Sequence, residues 1–348
     1  MFRIRSIQVE HGDALLISYG EDDQLKHLLI DGGPRESFDT LMDVLSAEPR
    51  DEGGKLRLKA LLVTHYDLDH IEGAIQLLRA PPPWLSVEDV WFNGRRHLPR
   101  RDQLGPMEGD VITRIIDGRF PWNAAFRDGT SQGTGAIEQA CAPVTLDGGL
   151  EVHVLSPNAG QLSDLADAWN SSAMSTGEGS SGLTDRLGRS EAWPPDEFSF
   201  YNVDAVRADR SVANGSSIAV MLTFEGKRAL LAADAFHHVI KCALATHLPL
   251  GEVVHLLKVS HHGSQGNTDL PLLNAIKCRK FLISSSGKNH KHPDHMLMAR
   301  LLSRGGTPDI FFNYGVGWPG NWRSPPEGWP SYRAHFPRNG QRFIDVIL

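Results

Sequence analysis

Short apolar runs separated by turn residues fill the first part of the chain, a pattern typical of β-strands. Residues 2–9 and 14–19 predict two strands joined by a turn at Gly12, and residues 26–31 predict a third strand that stops at a Gly-Gly-Pro turn. The apolar run at residues 58–64 is typical of a strand buried on both faces. Residues 88–92 (EDVWF) predict a further strand.

Two helices are predicted between these strands. Apolar side chains recur at helical spacing over residues 36–48. A second helix is expected to start near His70 and to end before the prolines at 81–83, because proline cannot continue a helix. The same alternation returns after residue 213. It predicts a hairpin at 217–224 and 228–232, helices at 236–246 and 294–303, and strands at 253–259, 281–284 and 342–348.

The middle of the chain, residues 93–213, shows little sustained periodicity. It predicts one helix near 107–117 and one strand at 150–155. Residues 171–190 are dense in Ser, Gly and Thr, a composition that predicts a mobile loop. We therefore interpret the whole chain as a single α/β domain with an elaboration at 93–213 on a β-rich core.

Composition excludes several classes of protein. Three widely spaced cysteines, Cys141, Cys242 and Cys278, exclude a disulfide scaffold and a CxxC zinc site. The net charge of −7 argues against coating of nucleic acid by global charge but leaves room for a local basic patch. With neither a signal peptide nor a membrane-spanning run in the sequence, we expect a soluble, cytoplasmic protein that does not bind membranes.

The sixteen histidines are unusual, and their positions matter more than their number. Four potential metal ligands, His65, Asp67, Asp69 and His70, follow directly after the strand predicted at 58–64. Imidazole nitrogen and carboxylate oxygen are donors that borderline divalent metals accept. A polar surface loop is the alternative explanation, but four such residues packed against a buried strand favour a metal site.

Three more strands end on ligand-type residues. Asp234 closes the strand RALLAAD, and His261 and His262 follow LLKVS. The last of these strands leads into a segment with three histidines, His290, His292 and His295. Singly, each is more often a surface or core residue. Together they predict that one edge of the sandwich carries the site.

These residues resemble motifs of the metallo-β-lactamase superfamily, and within it those of the hydrolase domain of the competence protein ComEC. The segment 64–70 is similar to that domain's S/T-H-x-D-x-D-H, with Asp67 in place of the superfamily's usual second histidine. Residues 29–33 resemble L-I-D-G-G, residues 257–264 L-K-V-x-H-H-G-S and residues 287–293 G-x-N-x-x-x-H-P. Other motifs match with departures: His11 stands where the family has Gln, before Gly12-Asp13, and Ala233 replaces Gly before Asp234. The resemblance covers about 2–92 and 214–348 and implies an αββα sandwich with a long insertion in the middle of the chain.

The resemblance also implies roles for the ligand-type residues. His65 and Asp67 would bind one divalent ion, Zn²⁺ or Mn²⁺, Asp69 and His70 would bind a second, and Asp234 would bridge them. His261 and His292 would complete the ligands, while His262 would ligate or orient the substrate. Asp69 or His262 would pass the proton during metal-assisted hydrolysis. His153 is a possible stand-in for the superfamily's middle histidine, or a simple core residue.

Residues outside this cluster bear on the substrate. Arg95 and Arg96 belong to a basic stretch that also holds Arg100 and Arg101, which would bind a nucleic-acid backbone or form a solvated loop. Ser264 and Lys288 are further candidate substrate contacts, and the segment 284–288 suggests a phosphate site built from backbone amides. The aromatic residues between 314 and 332 would stack on bases or, more often for such a segment, pack into a rigid loop.

Three functions remain open from the sequence. The first is a two-metal phosphodiesterase or nuclease acting on nucleic acid or a nucleotide phosphodiester, within a DNA-processing or defence system. The second is a hydrolase of a small ester, lactone or thioester. The third is a subunit of a larger assembly, whose metal site is regulatory or degenerate and whose 93–213 elaboration docks a protein partner.

Overall fold

The computed structural model describes residues 1–99, 107–127, 135–172, 191–247 and 252–348. The strands are β1 (Phe2–Ile7), β2 (Leu15–Tyr19), β3 (Lys26–Ile30), β4 (Leu56–Leu62), β5 (Leu85–Val87), β6 (Val90–Trp91), β7 (Val144–Leu146), β8 (Leu150–Ser156), β9 (Ala219–Phe224), β10 (Lys227–Leu231), β11 (Leu256–Lys258), β12 (Lys280–Ile283), β13 (Asp309–Phe312), β14 (Arg333–His335) and β15 (Phe343–Ile347). The helices are α1 (Phe38–Ser46), α2 (Leu68–Arg79), α3 (Met107–Ile116), α4 (Ala159–Ser172), α5 (Val212–Gly215), α6 (His237–His247), α7 (Leu270–Ala275), α8 (His295–Ser303) and α9 (Gly317–Gly320).

These strands form two mixed sheets. The first has the order β15-β1-β2-β3-β4-β5, with β6 also beside β4. The second has the order β14-β13-β12-β11-β10-β9-β8-β7. The neighbours β10, β11, β12 and β13 are parallel, so their carboxyl ends lie at one edge of the sheet. The final strand β15 pairs antiparallel with β1 and places the last residues beside the first.

The apolar side chains form three layers that alternate with the two sheets. Between the sheets lies a cluster that joins residues such as Ile17 and Leu28 to Val220 and Leu231. Outside the first sheet, α1, α2, α3 and α4 cover one apolar face, and outside the second sheet α6, α7 and α8 cover the other. The predicted α/β class and the αββα sandwich are therefore confirmed.

The middle stretch contributes to this core. β8 pairs antiparallel with β9 and β7 pairs antiparallel with β8, so these two strands extend the second sheet. α4 packs Leu162, Leu165 and Trp169 into the same cluster as α2. Residues 171 and 172 end this helix, and the rest of the predicted mobile loop, 173–190, lies outside the described residues. The assignment of 93–213 as an elaboration on a single domain stays a prediction.

Among the residues that the structure describes, no helix is both long enough and apolar enough to cross a lipid bilayer.

Candidate metal centre

Close packing of two glycines positions the first group of ligand-type residues. The amide of Gly32 donates to the carbonyl of His70 at 2.9 Å, and the amide of Gly73 donates to the carbonyl of Gly33 at 2.8 Å. A Cβ built on Gly73 would lie 2.0 Å from the Gly32 oxygen, so a larger residue does not fit. This contact fixes the start of α2, and with it Asp69 and His70, against the end of β3.

Asp234 lies at the centre of the cluster. Its Oδ2 is 3.3 Å from Nε2 of His70, 3.6 Å from Nε2 of His262 and 3.8 Å from Nε2 of His261. Asp13, His70, Asp234 and His262 each offer a ligand atom within 4.8 Å of the others, and all four residues are buried. These residues come from both sheets, so the centre forms only when the two halves pack together.

Asp69 and His65 lie beside this group. Oδ2 of Asp69 is 3.4 Å from Nε2 of His262 and 3.7 Å from Nε2 of His70. The ring of His65 is 4.2 Å from that of His70 between centroids, and its Nε2 is 3.5 Å from Oδ2 of Asp67. The structure thus brings together the four ligand-type residues that the segment 64–70 predicts.

The histidine rings are held by their Nδ1 atoms. Nδ1 of His70 is 2.8 Å from Oδ2 of the buried Asp31, and Nδ1 of His65 is 3.0 Å from Oγ1 of Thr64. Nδ1 of His262 lies 3.0 Å from the carbonyl oxygen of Ser284, so it donates there. Metal-binding histidines are typically oriented in this way through the nitrogen that does not bind the metal.

The opposite ring nitrogens make no hydrogen bond, although carboxylate oxygens lie 3.3–3.5 Å away. Nε2 of His65, His70 and His262, together with Oδ1 of Asp13 and of Asp234, are buried without a hydrogen bond. Buried polar atoms are usually paired, so atoms left unpaired that face one another need an explanation. Imidazole nitrogens and carboxylate oxygens suit a divalent cation, and the residues present therefore fit one.

The pKa values of the cluster show how much negative charge it concentrates. Burial by itself would lower the pKa of His70 and His262, but Asp234 and neighbouring carboxylates outweigh burial and raise both pKa values well above the usual range. Burial would likewise raise the pKa of Asp69 and Asp234, yet His70 and His262 hold both values low. The carboxylates therefore stay ionised, and positive charge from bound protons or from a cation stabilises them.

Asp13 was not among the sequence-predicted site residues. It follows Gly12 in the turn between β1 and β2, and its Oδ2 pairs with the ammonium group of Lys258, which is fully buried. Its Oδ1 is 3.6 Å from Nδ1 of His262. The Gly12-Asp13 turn was the available signal, but an aspartate in a turn is too common to single out without the fold.

The remaining predicted ligands lie at the periphery or elsewhere. The ring of His292 is 6.0 Å from that of His261, and its Nδ1 is 3.0 Å from Oδ1 of Asp294. His153 lies in β8, where it contacts Glu151 and His247 rather than a residue of the centre. The individual ligand assignments stay predictions.

The candidate substrate-binding residues differ in how accessible they are to a substrate. Arg96 lies 3.8 Å above the ring of Trp122 and 3.5 Å from Asp117, so its guanidinium group is already engaged, while Arg95 is partly buried. Arg100 and Arg101 lie outside the described residues. The Lys288 side chain is 75% exposed and 4.0 Å from Glu10, which makes it the more accessible cation.

Two other predicted substrate features are occupied by contacts within the protein. The amides of residues 285–288 already donate to Oδ1 of Asn313, the carbonyl of Glu10 and the hydroxyls of Ser285 and Ser286, so they do not form an open anion site. Ser264 is buried beside His261 and accepts from the amide of Gly266. In the aromatic segment, Trp322, Trp329 and Tyr332 are buried in the core of the second sheet, which favours the rigid-loop interpretation.

The fold and this cluster agree with a known family. Residues 10–137 match the model of the metallo-β-lactamase superfamily. The match spans a little over one third of the chain and includes Asp13 and the segment 64–70. It supports the superfamily part of the resemblance, and the finer likeness to the ComEC hydrolase domain stays a prediction. No curated protein sequence matches the chain.

Several solved structures share a distant likeness. The chain is 11% identical to the metallo-β-lactamase fold protein YhfI from Bacillus subtilis, with 100% of both chains covered and a TM-score of 0.41. It is 9% identical to a diphosphatase from the PhnP family, covering 99% of this chain and 98% of that one, with a TM-score of 0.41. It is 10% identical to a mutant of the CmlA β-hydroxylase, covering 100% of this chain but 54% of that one, with a TM-score of 0.43. Identities and TM-scores this low carry no information about the reaction.

Proposed function

We propose that this protein is a two-metal hydrolase that cleaves phosphodiesters, with nucleic acid as its substrate. The observation that carries the proposal is the convergence of Nε2 of His70 and Nε2 of His262, both buried without a hydrogen bond, on the carboxylate of Asp234. Nε2 of His65 is also buried without a hydrogen bond and lies beside Asp67. Such a set of donors on a metallo-β-lactamase type of fold is suited to metal-assisted hydrolysis.

The donors divide into two groups. His70, His262 and Asp69 would hold one divalent cation, and His65, Asp67 and His261 would hold the second, with Asp234 shared between them. Three of the rings are held at Nδ1: His70 by Asp31, His65 by Thr64 and His262 by the carbonyl of Ser284. These contacts direct each Nε2 lone pair towards the centre.

When bound, two divalent cations would activate a water molecule and neutralise the charge that develops on the phosphoryl oxygens. The chain's own residues supply the proton path. The side chain of Asp69 is 23% exposed, whereas that of Asp234 is 3% exposed. Asp69 therefore connects the buried centre to solvent and is the better group to accept and release a proton.

The chemistry of the donor set favours a phosphodiester over a β-lactam. Asp67 supplies a carboxylate where the superfamily's usual motif has an imidazole, and Asp69 and Asp234 add two more. Oxygen donors suit Mn²⁺ and Mg²⁺ better than nitrogen donors do, although Zn²⁺ binds more tightly in general. A carboxylate-rich centre of this kind fits the handling of phosphate oxygens.

The decisive experiment incubates the protein, loaded with Zn²⁺ or Mn²⁺, with single-stranded DNA, double-stranded DNA, RNA, a lactone and a thioester. We expect cleavage of at least one nucleic acid, and we expect Asp69→Ala to abolish it. Hydrolysis of the lactone or thioester alone would favour the small-ester function and refute the nuclease. Metal binding without any turnover would favour the subunit of a larger assembly.

A second variant separates nucleic acid from small phosphodiesters. Lys288→Ala removes an exposed cation outside the cluster and should reduce the salt dependence of DNA binding by about one charge. Turnover of a small model phosphodiester should be unchanged, because its single phosphate lies at the centre. An unchanged salt dependence would exclude Lys288 as a substrate contact.

A further inference from the structure

The buried Asn267 side chain connects two residues of the candidate metal centre, His261 and Asp234, to Asp209. Oδ1 of Asn267 is 3.0 Å from Nδ1 of His261. Nδ2 of Asn267 donates to Oδ2 of Asp209 at 2.9 Å and to the main-chain carbonyl of Asp234 at 3.2 Å. Asn267 is fully buried, so these contacts are not exchanged for water.

The pattern of donors determines the tautomer of His261. An amide nitrogen only donates and an amide oxygen only accepts. Both partners of Nδ2, a carboxylate and a carbonyl, are acceptors, so the amide of Asn267 has one consistent orientation. Its oxygen then faces Nδ1 of His261, which must carry the proton and donate it. In neutral imidazole the other nitrogen, Nε2, carries the lone pair.

That lone pair points towards a carboxylate. Nε2 of His261 is 3.8 Å from Oδ2 of Asp234. Two electron-rich atoms at this distance repel each other unless a positive charge lies between or beside them. We propose that Asn267, supported by Asp209, is a positioning residue that holds His261 with its Nε2 lone pair towards Asp234 and so makes it a ligand of a divalent cation. The inference rests on the proposed metal-dependent function.

Asp209 reaches the centre from the middle stretch of the chain. Its Oδ2 also accepts from Nδ2 of Asn214 at 2.6 Å, and its amide donates to the carbonyl of Gly266 at 3.4 Å. The buried Arg300 fastens the two segments together, because its guanidinium group donates to the carbonyl of Ala205 at 2.6 Å and to that of Thr268 at 2.7 Å. The carboxylate that orients Asn267 is thus rigidly placed.

His262 provides an internal control. Its Nδ1 donates to the main-chain carbonyl of Ser284 and not to a side chain that can be replaced. A change at Asn267 should therefore weaken the cation held by His261 and leave the cation held by His262 in place. General structural damage would weaken both.

The test uses the full chain and Zn²⁺ alone as the probe. Isothermal titration calorimetry counts and ranks the Zn²⁺ sites of the parent and of Asn267→Leu, which has nearly the same size. We expect two sites in the parent, with one weakened about 10–100-fold in the variant. Asn93→Leu is the matched control, because the Asn93 side chain is also buried but bonds to the main chain of Ile137. It should change neither site.

A second variant tests positioning through Asp209. Asp209→Leu leaves the Asn267 side chain in place but removes the carboxylate that accepts from its Nδ2. It should weaken the same Zn²⁺ site as Asn267→Leu does, by a smaller factor, because Nδ2 of Asn267 still donates to the carbonyl of Asp234. It also keeps the proposal testable if Asn267→Leu does not fold.

Imidazole ¹⁵N chemical shifts give a readout that does not depend on metal. In Zn²⁺-free protein at alkaline pH, His261 should carry its proton on Nδ1 in the parent and lose this preference in Asn267→Leu. Unchanged shifts together with two unchanged Zn²⁺ sites would overturn the proposal, as would equal weakening of both sites. If the parent binds no Zn²⁺ at all, the proposed function fails, and the ¹⁵N shifts still decide whether Asn267 sets the tautomer.

Discussion

Gly73→Ala should detach the start of α2 from the first sheet and weaken metal binding. The added methyl carbon would lie 2.0 Å from the carbonyl oxygen of Gly32 and 2.6 Å from its carbon, both main-chain atoms that cannot rotate away. A carbon and a carbonyl oxygen approach to about 3.3 Å, so the helix must move by roughly 1.3 Å. His70 lies one turn before Gly73 on this helix and would move with it.

The size of the effect follows from three contributions. Overpacking of this kind costs about 1–3 kcal/mol. The shift also disrupts the main-chain hydrogen bonds from Gly32 to His70 and from Gly73 to Gly33, at about 1 kcal/mol each. Alanine has a higher helix propensity than glycine, which offsets the loss of stability by about 1 kcal/mol. The free energy of unfolding should therefore fall by about 2–4 kcal/mol.

Urea unfolding followed by tryptophan fluorescence measures this loss, and Zn²⁺ titration measures the site. Since the 2.8 Å contact between Asp31 and His70 would stretch, we expect Zn²⁺ affinity to fall by about 10–100-fold. Gly160→Ala in α4 is the control, because its nearest neighbour is the end of the Asn158 side chain at 3.2 Å. Equal stability of the two variants, with unchanged Zn²⁺ affinity for Gly73→Ala, would refute the reasoning.

Other predictions concern charge and burial. Arg300→Met should lower the free energy of unfolding by about 3–5 kcal/mol, because the carbonyls of Val203, Ala205 and Thr268 each lose the hydrogen bond from the buried guanidinium group, at about 1–2 kcal/mol each; chemical unfolding measures it, and a loss below 1 kcal/mol would contradict it. Burial lowers the pKa of His27 to about 4 from its usual 6.5, so between these pH values the unfolded chain binds a proton at His27 and the folded chain does not. Stability should thus be lost as pH falls from about 6.5 to about 4, and His27→Gln should flatten that part of the pH–stability curve. Asp69→Leu should leave Zn²⁺ bound through His65 while removing turnover, which parallel calorimetry and activity assays would show.

The sequence predicted the strands and the ligand-type residues at their ends because both signals are local. An apolar run such as residues 58–64 needs only its own composition to suggest a buried strand, and β4 (Leu56–Leu62) lies within two residues of it. The histidines and aspartates that follow are visible as residue types. The four-layer arrangement then follows from the alternation of strands and helices.

What the sequence did not predict depends on contacts between distant residues. α4 was missed although Leu162, Leu165 and Trp169 recur at helical spacing, because the Ser, Asp and Gly residues among them weaken the helical pattern. Lys258 was expected only as part of a strand, yet it is fully buried and neutralises Asp13. Burial of a charge is a property of the fold and not of the local sequence.

The supporting residues of the centre show the same limit most sharply. Asp31 contacts His70 from the end of β3, and Ser284 contacts His262 from the end of β12. Asp209 contacts Asn267 from the middle stretch, which matched no family motif. Each is an ordinary polar residue whose role exists only once both sheets are packed. Metal binding should consequently stabilise the packing of the two halves, since a ligand that binds only the folded chain raises its stability in proportion to the logarithm of ligand excess. The ligand-type residues can therefore be recognised in the sequence, while the groups that orient them can be recognised only in the fold.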